Sequence, residues 1–348
     1  MSKRSLTKAL LVAVFLFPGA LSAANYSLLS FSSITGWEAD DHAAALEAFR
    51  LGCSGMRATD SVPIRDWDAA CVLANSGPGP AQDFFEQNFT PVKISNNSRA
   101  LFTGYYEPTL RGSLNKTEVY QYPLYRVPPE VEIGVTWRTR AEIENGLLDG
   151  RELELVWLDN LVDTFFVHVQ GSARIQFDDG TSMRVGFAGR NGHRYRSVGR
   201  ELARLGVLRN DQLSIAGIRN WAASNPEAAI TALQHNTSFI FFQELEIPDD
   251  LGPIGALQVP LTPMRSIAVD DKYTPLGAPV WVHMVAGRYS INQLMVAQDT
   301  GSAVNGAQRA DIFYGTGNAA GDKAGNILYS GEMITLIPNV TAARLRGE

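Results

Sequence analysis

Two aspartates in the last third of the chain stand where a carboxyl group can do acid–base chemistry. Asp299 opens the turn-like Asp299-Thr300-Gly301 after a strand-like run, and Asp311 follows in Ala310-Asp311-Ile312-Phe313-Tyr314-Gly315. A carboxyl beside apolar strands is partly desolvated, which favours its neutral form and keeps a proton available for donation. An unperturbed aspartate, with a pKa near 3.9, is only about one part in a thousand protonated at pH 7, so an acid at either position needs an upward shift. Aspartate is equally at home in turns, where it bonds local backbone, and spacing leaves both readings open.

A second group lies far upstream. Thr103, Tyr105, Tyr106 and Glu107 cluster around Gly104 and Pro108, offering rings and hydroxyls to a sugar or peptide groove, or simply ending a strand packed on the core. Gln170 and Ser172 flank Gly171, and Gly189 to Tyr195 is a polar, glycine-punctuated stretch; both suit a hydroxylated ligand and both suit surface turns. The histidines, His42, His168, His193, His235 and His283, show neither paired spacing nor a nearby thiol pair, so no metal site and no cofactor are expected.

The elements that must hold these residues change character along the chain. With 348 residues, 45% apolar and 19% charged, the composition is that of a globular protein. The net charge of −6 is spread without long runs and offers no basic stripe to nucleic acid. Asp40 or Asp41 can cap a helix carrying Ala44, Leu46 and Phe49; a second helix is read from Asp66 through Ala74, and a short third from Gln82 to Asn88. Cys53 and Cys71 would pin this helical pair as a disulfide, or remain two buried thiols.

From Ala100 onward short apolar runs separated by Gly, Pro, Asp and Asn are read as strands, among them Leu101 to Tyr106 and Phe165 to Val169. Ile175 to Phe177, Asp178-Asp179-Gly180-Thr181 and Met183 to Val185 form a hairpin pattern. Helical pieces return at Thr139 to Leu147, where Thr139 and Glu142 are spaced as a capping box, and at Pro226 to Leu233. The runs Phe239 to Phe242, Ala278 to Met284, Gln293 to Ala297 and Ile334 to Ile337 suit a barrel or sandwich.

At the N-terminus, Lys3, Arg4 and Lys8 precede an apolar stretch from Ala9 to Phe17, then Pro18, Gly19 and the small residues Ala20, Ser22, Ala23 and Ala24. This order marks a secretory signal, cut near Ser22 to Ala24, with an apolar core too short to span a bilayer. The alternative is an apolar helix that stays attached. No cysteine lies near that point to take a lipid, so a soluble mature chain without a stable membrane anchor is expected.

Four stretches together resemble the bacterial membrane-bound lytic murein transglycosylase A family: FTGYYEP at Phe102 to Pro108, VQGSARIQFDDG at Val169 to Gly180, the run from Gly252 to Val282, and VAQDTGSAVNGAQRADIFYGTGNAAGDKAG at Val296 to Gly325. The resemblance implies a mainly β protein with short N-terminal helices: a double-psi β-barrel domain from 25–108 and 239–348, a second β domain inserted at 109–238, and 1–24 as the signal. It implies acidic positions at Asp270, Asp299 and Asp311, with Asp311 as the catalytic acid and Asp299 supporting it. Thr103, Tyr105, Tyr106, Glu107, Gln170, Ser172 and Asp270 would line the glycan groove.

The implied reaction cleaves the β-1,4 bond between N-acetylmuramic acid and N-acetylglucosamine in peptidoglycan without water, giving a 1,6-anhydro product. The implied setting is the periplasm of a Gram-negative bacterium, soluble or loosely associated with the outer membrane, acting on glycan strands, with membership of cell-wall enzyme complexes left open. The chain departs from the family pattern by lacking the lipoprotein cysteine, and by Asn236-Thr237-Ser238-Phe239 where Asn-Pro-Ser-Tyr is common. Two other readings stand beside this one: a hydrolytic muramidase with Asp299 as base for a water, and a glycan-binding protein without catalysis.

Overall fold

The computed structural model describes residues 24–347 apart from 57–58, 60–61, 97–98, 287–288 and 326, so the expected signal lies outside the described residues up to Ala23. In chain order, β1 (Asn25–Leu28) precedes α1 (His42–Gly52), α2 (Asp68–Ser76) and α3 (Ala81–Asn88), followed by β2 (Phe89–Ser95) and β3 (Leu101–Glu107). Next come β4 (Thr109–Ser113), β5 (Tyr122–Tyr125), the one-turn α4 (Arg140–Glu142), β6 (Glu154–Leu158), α5 (Leu161–Gln170), β7 (Ser172–Gln176) and β8 (Ser182–Arg190). Helices α6 (Val198–Arg204), α7 (Ile215–Ser224) and α8 (Pro226–Gln234) lead to β9 (Ile240–Glu244). The chain ends through β10 (Ser266–Val269), β11 (Pro279–Ala286), β12 (Tyr289–Thr300), β13 (Arg309–Thr316), α9 (Asn318–Ala324), β14 (Leu328–Tyr329), β15 (Gly331–Pro338) and α10 (Asn339–Arg346).

Two sheets organise these elements. One has nine strands in the order β1-β2-β15-β11-β12-β10-β13-β3-β14; the other has six, β5-β6-β4-β7-β8-β9. The expectation of a mainly β protein built on a double-psi barrel is corrected on both counts. The fold is mixed α/β, and neither sheet closes. A barrel needs its first strand to pair with its last, whereas β1 and β14 are open ends of the nine-stranded sheet among the described residues. The six-stranded sheet also takes in β9, two residues beyond the expected end of the insert at 238.

The helical content that sequence reading missed lies largely between the two halves of the larger sheet. Phe165 to Val169, read as a strand, belongs to α5. Asn160 caps that helix by accepting from the backbone N–H groups of Val162 and Asp163 at 2.9 and 3.1 Å, and Gly171 ends it in a left-handed turn at φ +87°. Val162, Thr164, Phe165, Val167 and His168 are all buried, and such a continuous apolar run looks the same in a buried strand and a buried helix. The Thr139–Glu142 capping box does form, as does the hairpin pairing Ile175 with Met183.

Alternation along the strands separates two cores. On β11 and β12, Trp281, Leu294 and Val296 face α1 to α3 and join Trp37, Phe49, Phe84, Phe85 and Phe89, whereas Val280, Val282, Met295 and Ala297 face the opposite way with Phe102, Ile267, Ala310 and Ile312. The helical layer is tied to the sheet by a buried ion pair. Arg265 donates to both carboxylate oxygens of Asp40 at 2.9 and 3.0 Å, and the Leu294 N–H donates to the same carboxylate at 2.8 Å. The Asn236-Thr237-Ser238-Phe239 segment seats a buried guanidinium: Arg140 donates to the carbonyls of Asn236 and Ser238 and lies over the Phe239 ring.

Cys53, just past α1, and Cys71, in α2, are joined by a disulfide. Closing a loop of this length restricts the unfolded chain by about 3 kcal/mol in the chain-entropy model. Replacing both cysteines by serine is therefore expected to lower the unfolding free energy by about that amount. Urea unfolding of the oxidised wild type and the double variant measures it; equal midpoints would contradict the assignment.

Candidate active site

The two aspartates singled out by sequence meet on one row of the larger sheet. Asp311 of β13 pairs with Thr103 of β3 on one side and with Ala268 of β10 on the other, and Ala268 pairs in turn with Asp299 of β12. Paired residues project to the same face, so the row Thr103–Asp311–Ala268–Asp299 presents two carboxyl groups across one methyl group. Two strand spacings put their Cα atoms at most roughly 10 Å apart.

A bulge brings Asp299 onto this face. Ala297 pairs with Ile267 and belongs to the core opposite the helices, so strict alternation would send Asp299 into that core as well. Between Ile267 and Ala268 the register shifts by one residue on β12, leaving Gln298 as the extra residue. Its buried side chain accepts from the Ser266 hydroxyl and donates to the Ala48 carbonyl of α1 at 2.8 Å. The loop above lies flat on it: Leu257 N–H donates to the Gln298 carbonyl at 3.0 Å, and a Cβ on Gly255 would come within 2.5 Å of that oxygen.

Three donors then hold Asp299. The N–H groups of Ala256 and Thr300 reach Oδ1 at 3.0 and 2.9 Å, and the Tyr105 hydroxyl reaches Oδ2 at 2.9 Å from β3. The sheet curls enough here for that ring to cross β13 and β10, and Tyr105 packs with Phe313, Leu261, Val304 and Ala268 into a small apolar floor. Burial on this floor pushes the Asp299 carboxyl up to about 6, against the pull of its three donors, with the nearby Asp311 adding to the rise. The Tyr105 hydroxyl is pushed well up by its burial and by Asp299.

Asp311 is held more sparingly. Thr103 donates to its Oδ1 at 2.7 Å, and Arg309, two residues earlier on the same face of β13, donates from Nη2 to the Thr103 hydroxyl at 2.8 Å. Among the described residues Thr103 is the one hydrogen-bond donor to this carboxyl. Burial raises the Asp311 carboxyl above the ordinary aspartate range, and the Arg309 charge and Thr103 hydrogen bond hold that rise back. A carboxyl raised this way holds its proton to higher pH than an ordinary aspartate and still becomes an anion once the proton is given up.

The remaining sequence candidates spread along the junction of the two sheets. Glu107, next on the face of Thr103 and Tyr105, is fully buried: Thr316 donates to it at 2.8 Å, Arg174 and Arg184 donate at 3.3 and 3.2 Å, and Arg184 Nε lies 2.9 Å away off hydrogen-bond angle. It binds β3 to β7 and β8 and offers nothing to solvent. Tyr106 points to the other face of β3, against Gly321 of α9; its backbone N–H donates to the Gln170 side-chain oxygen at 3.0 Å, and Ser172 is buried at the start of β7. Asp270 follows directly on β10, where it accepts from the backbone N–H groups of Gly306 and Lys272 at 2.7 and 3.3 Å and ties down the loop after Asp299.

Sequence reading missed Arg309, whose i, i−2 spacing from Asp311 was the available signal. It also missed Ala256 and Gln298, for which local sequence carries none. Among the described residues no cluster of three or more His, Cys, Asp or Glu is arranged to hold a metal ion, and no helix is long and apolar enough to cross a membrane.

A folded-state pKa of about 6 for Asp299, against 3.8 ordinarily, fixes the sign of a stability test. Its stabilising proton is fully present below about pH 4 and is lost as pH rises through 6, above which a charge sits on an apolar floor. Asp299→Asn, which keeps the hydrogen-bonding shape, is expected to gain on wild type by on the order of 2 kcal/mol between pH 4 and 7. Thermal melts of both proteins over that range check it; a pH-independent difference would contradict it.

The family model of the MltA specific insert domain matches residues 101–243, and that of the 3D domain matches 265–337. Membrane-bound lytic murein transglycosylase A of Vibrio cholerae is 34% identical over 281 residues, spanning 78% of this chain and 73% of that protein. A crystal structure of a membrane-bound lytic murein transglycosylase from Agrobacterium tumefaciens aligns with TM-score 0.83 at 33% identity, covering 92% of this chain and 99% of that one. Escherichia coli MltA with bound chitohexaose aligns with TM-score 0.71 at 28% identity, covering 90% and 94%. The chain belongs to the membrane-bound lytic murein transglycosylase A family.

Proposed function

We propose that the protein is a lytic transglycosylase that cleaves the β-1,4 bond between N-acetylmuramic acid and N-acetylglucosamine in peptidoglycan and leaves a 1,6-anhydro-muramyl end, with Asp311 as its acid and base. Family membership supports the activity and the glycan substrate, as does a relative of the same fold holding a chito-oligosaccharide. The observation that carries Asp311 is its setting: a half-buried carboxyl, raised by burial, hydrogen-bonded at one oxygen, on an apolar floor.

In this reading Asp311 protonates the leaving glycosidic oxygen as the C1–O bond breaks through an oxocarbenium-like state. The resulting carboxylate takes the proton from the C6 hydroxyl of the muramyl sugar as O6 closes on C1. Acid–base action of this kind contributes about 10²- to 10⁴-fold, and glycan positioning, ring distortion and exclusion of water supply the rest.

Asp299 bears on the hydrolytic alternative. Its Oδ1 accepts two backbone N–H groups and its Oδ2 accepts the Tyr105 hydroxyl, so the carboxyl is engaged in holding the loop at Ala256 and is poorly placed to activate a water. We read it as a support that keeps the floor beside Asp311 in shape. We also propose that the chain is exported and works in the periplasm, with glycan strands as its partner and no cofactor. The six-stranded sheet and its helices would form an inserted unit that walls one side of the groove.

The test is mass spectrometry of products released from isolated peptidoglycan by wild type and by Asp311→Asn. Anhydro-muropeptides from wild type, falling at least about 100-fold in the variant, are expected. Reducing-end products would establish hydrolysis instead, and glycan pull-down without any release would establish binding alone.

A further inference from the structure

The arrangement around Asp311 distinguishes its two oxygens, and the distinction rests on the acid–base reading above. Arginine has no acceptor, so the contact from Arg309 Nη2 to Thr103 Oγ1 consumes a lone pair of that hydroxyl. The hydroxyl has a single hydrogen. Among the described residues Asp311 Oδ1, at 2.7 Å, is the acceptor placed to receive it. Were Oδ1 itself protonated and donating, the Thr103 hydrogen would be left without a partner on a half-buried strand, at a cost of about 1–3 kcal/mol. Arg309 is fixed in turn, donating to the carbonyl of Leu101 at 3.3 Å and to that of Ala310, with its side chain buried.

We propose that Thr103 and Arg309 are positioning residues that reserve Asp311 Oδ1 as an acceptor and leave Oδ2 as the single oxygen that delivers and recovers the proton. In the first step the Oδ2–H bond breaks, the proton bonds to the glycosidic oxygen, and the C1–O pair leaves with that oxygen. In the second, the C6 O–H bond breaks, its proton returns to Oδ2, and its electron pair forms the O6–C1 bond. Oδ1 keeps the Thr103 hydrogen throughout, and the carboxyl is not free to turn over between steps. This role replaces the sugar-binding one first read for Thr103.

The charged and titratable groups facing Asp311 are Arg309 on its own strand, Tyr105 on β3 and Asp299 on β12; β10 supplies Ala268 to the row and no charge. Removing the Thr103 hydroxyl takes away a bond that favours the anion, so the Asp311 carboxyl becomes harder to ionise and also loses its orientation.

The test compares Thr103→Val, Thr103→Ser and Arg309→Lys by the rate of anhydro-muropeptide release across pH. For Thr103→Val we expect the alkaline limb of kcat/KM to move up in pH and kcat to fall roughly tenfold with KM little changed; for Thr103→Ser we expect both to return to within about twofold of wild type. Arg309→Lys, which keeps the charge but loses the guanidinium fork, should behave between them. Unfolding of Arg309→Lys would leave the threonine pair to decide. An unmoved pH limb in an active Thr103→Val, or a Thr103→Ser as impaired as Thr103→Val, would overturn the proposal. Wild type yielding no anhydro product would instead overturn the activity on which it rests.

Discussion

A single extra residue in β12 decides which side of the sheet Asp299 faces. With Gln298 bulged out of the pairing, Asp299 shares the face of Ala268, Asp311, Tyr105 and Thr103; were β12 to keep its regular register, Asp299 would pair with Val269 and turn into the core of Ile267, Ala297 and Ile312. The bulge is held from both sides. Ser266 and the Ala48 carbonyl take its side chain, and the 255–257 loop rests on its carbonyl. Because Ala48 lies in α1, whose end is stapled to α2 by the disulfide, the helical layer and the site share one set of constraints.

The same face shows how the molecule treats three carboxyl groups differently within a few residues of β3. Glu107 is surrounded by Arg174, Arg184 and Thr316 and becomes a rivet between the two sheets. Asp299 accepts three hydrogen bonds yet stays raised, because the aromatic floor removes water from it. Asp311 receives one hydrogen bond and a cation at one remove, which leaves it the carboxyl most free to exchange a proton with something outside the protein. Desolvation sets the direction of both aspartate shifts, and the number of donors separates holder from acid.

Much of this was legible in sequence, in unequal parts. Asp311 and Asp299 were noticed as carboxylates beside apolar runs, with a turn reading left open, and the choice of Asp311 as acid came from the family resemblance; Thr103 and Tyr105 were picked out separately, with Tyr106 and Glu107, as a polar cluster on a strand. The period-2 rule would have added Arg309, and it also separates Tyr106 from Tyr105, which sequence reading had grouped together. The rule fails at Gln298, since nothing in Ala297-Gln298-Asp299 announces a register shift that depends on a glutamine reaching α1. Glu107 shows the opposite failure: its arginine partners lie 67 and 77 residues away in β7 and β8, so a buried ion pair looked like an exposed ligand. The closed barrel was likewise too much to infer. Strand-like spacing does not say whether the end strands meet, and the run at Phe165 to Val169 took its helical form from Asn160 and Gly171 at its ends.

The central claim is that Asp311 is the raised carboxyl that exchanges a proton with the glycan, while Asp299 is engaged by three donors. It is tested most directly by ¹³C NMR titration of the aspartate carboxyl carbons, with the two resonances identified by their loss in Asp311→Asn and Asp299→Asn. Both carbons are expected to titrate above the ordinary aspartate range, Asp299 near 6, and the Asp311 resonance to be the one that moves when a glycan oligomer is added. An Asp311 carboxyl titrating at or below about 4, or indifferent to glycan, would contradict the account.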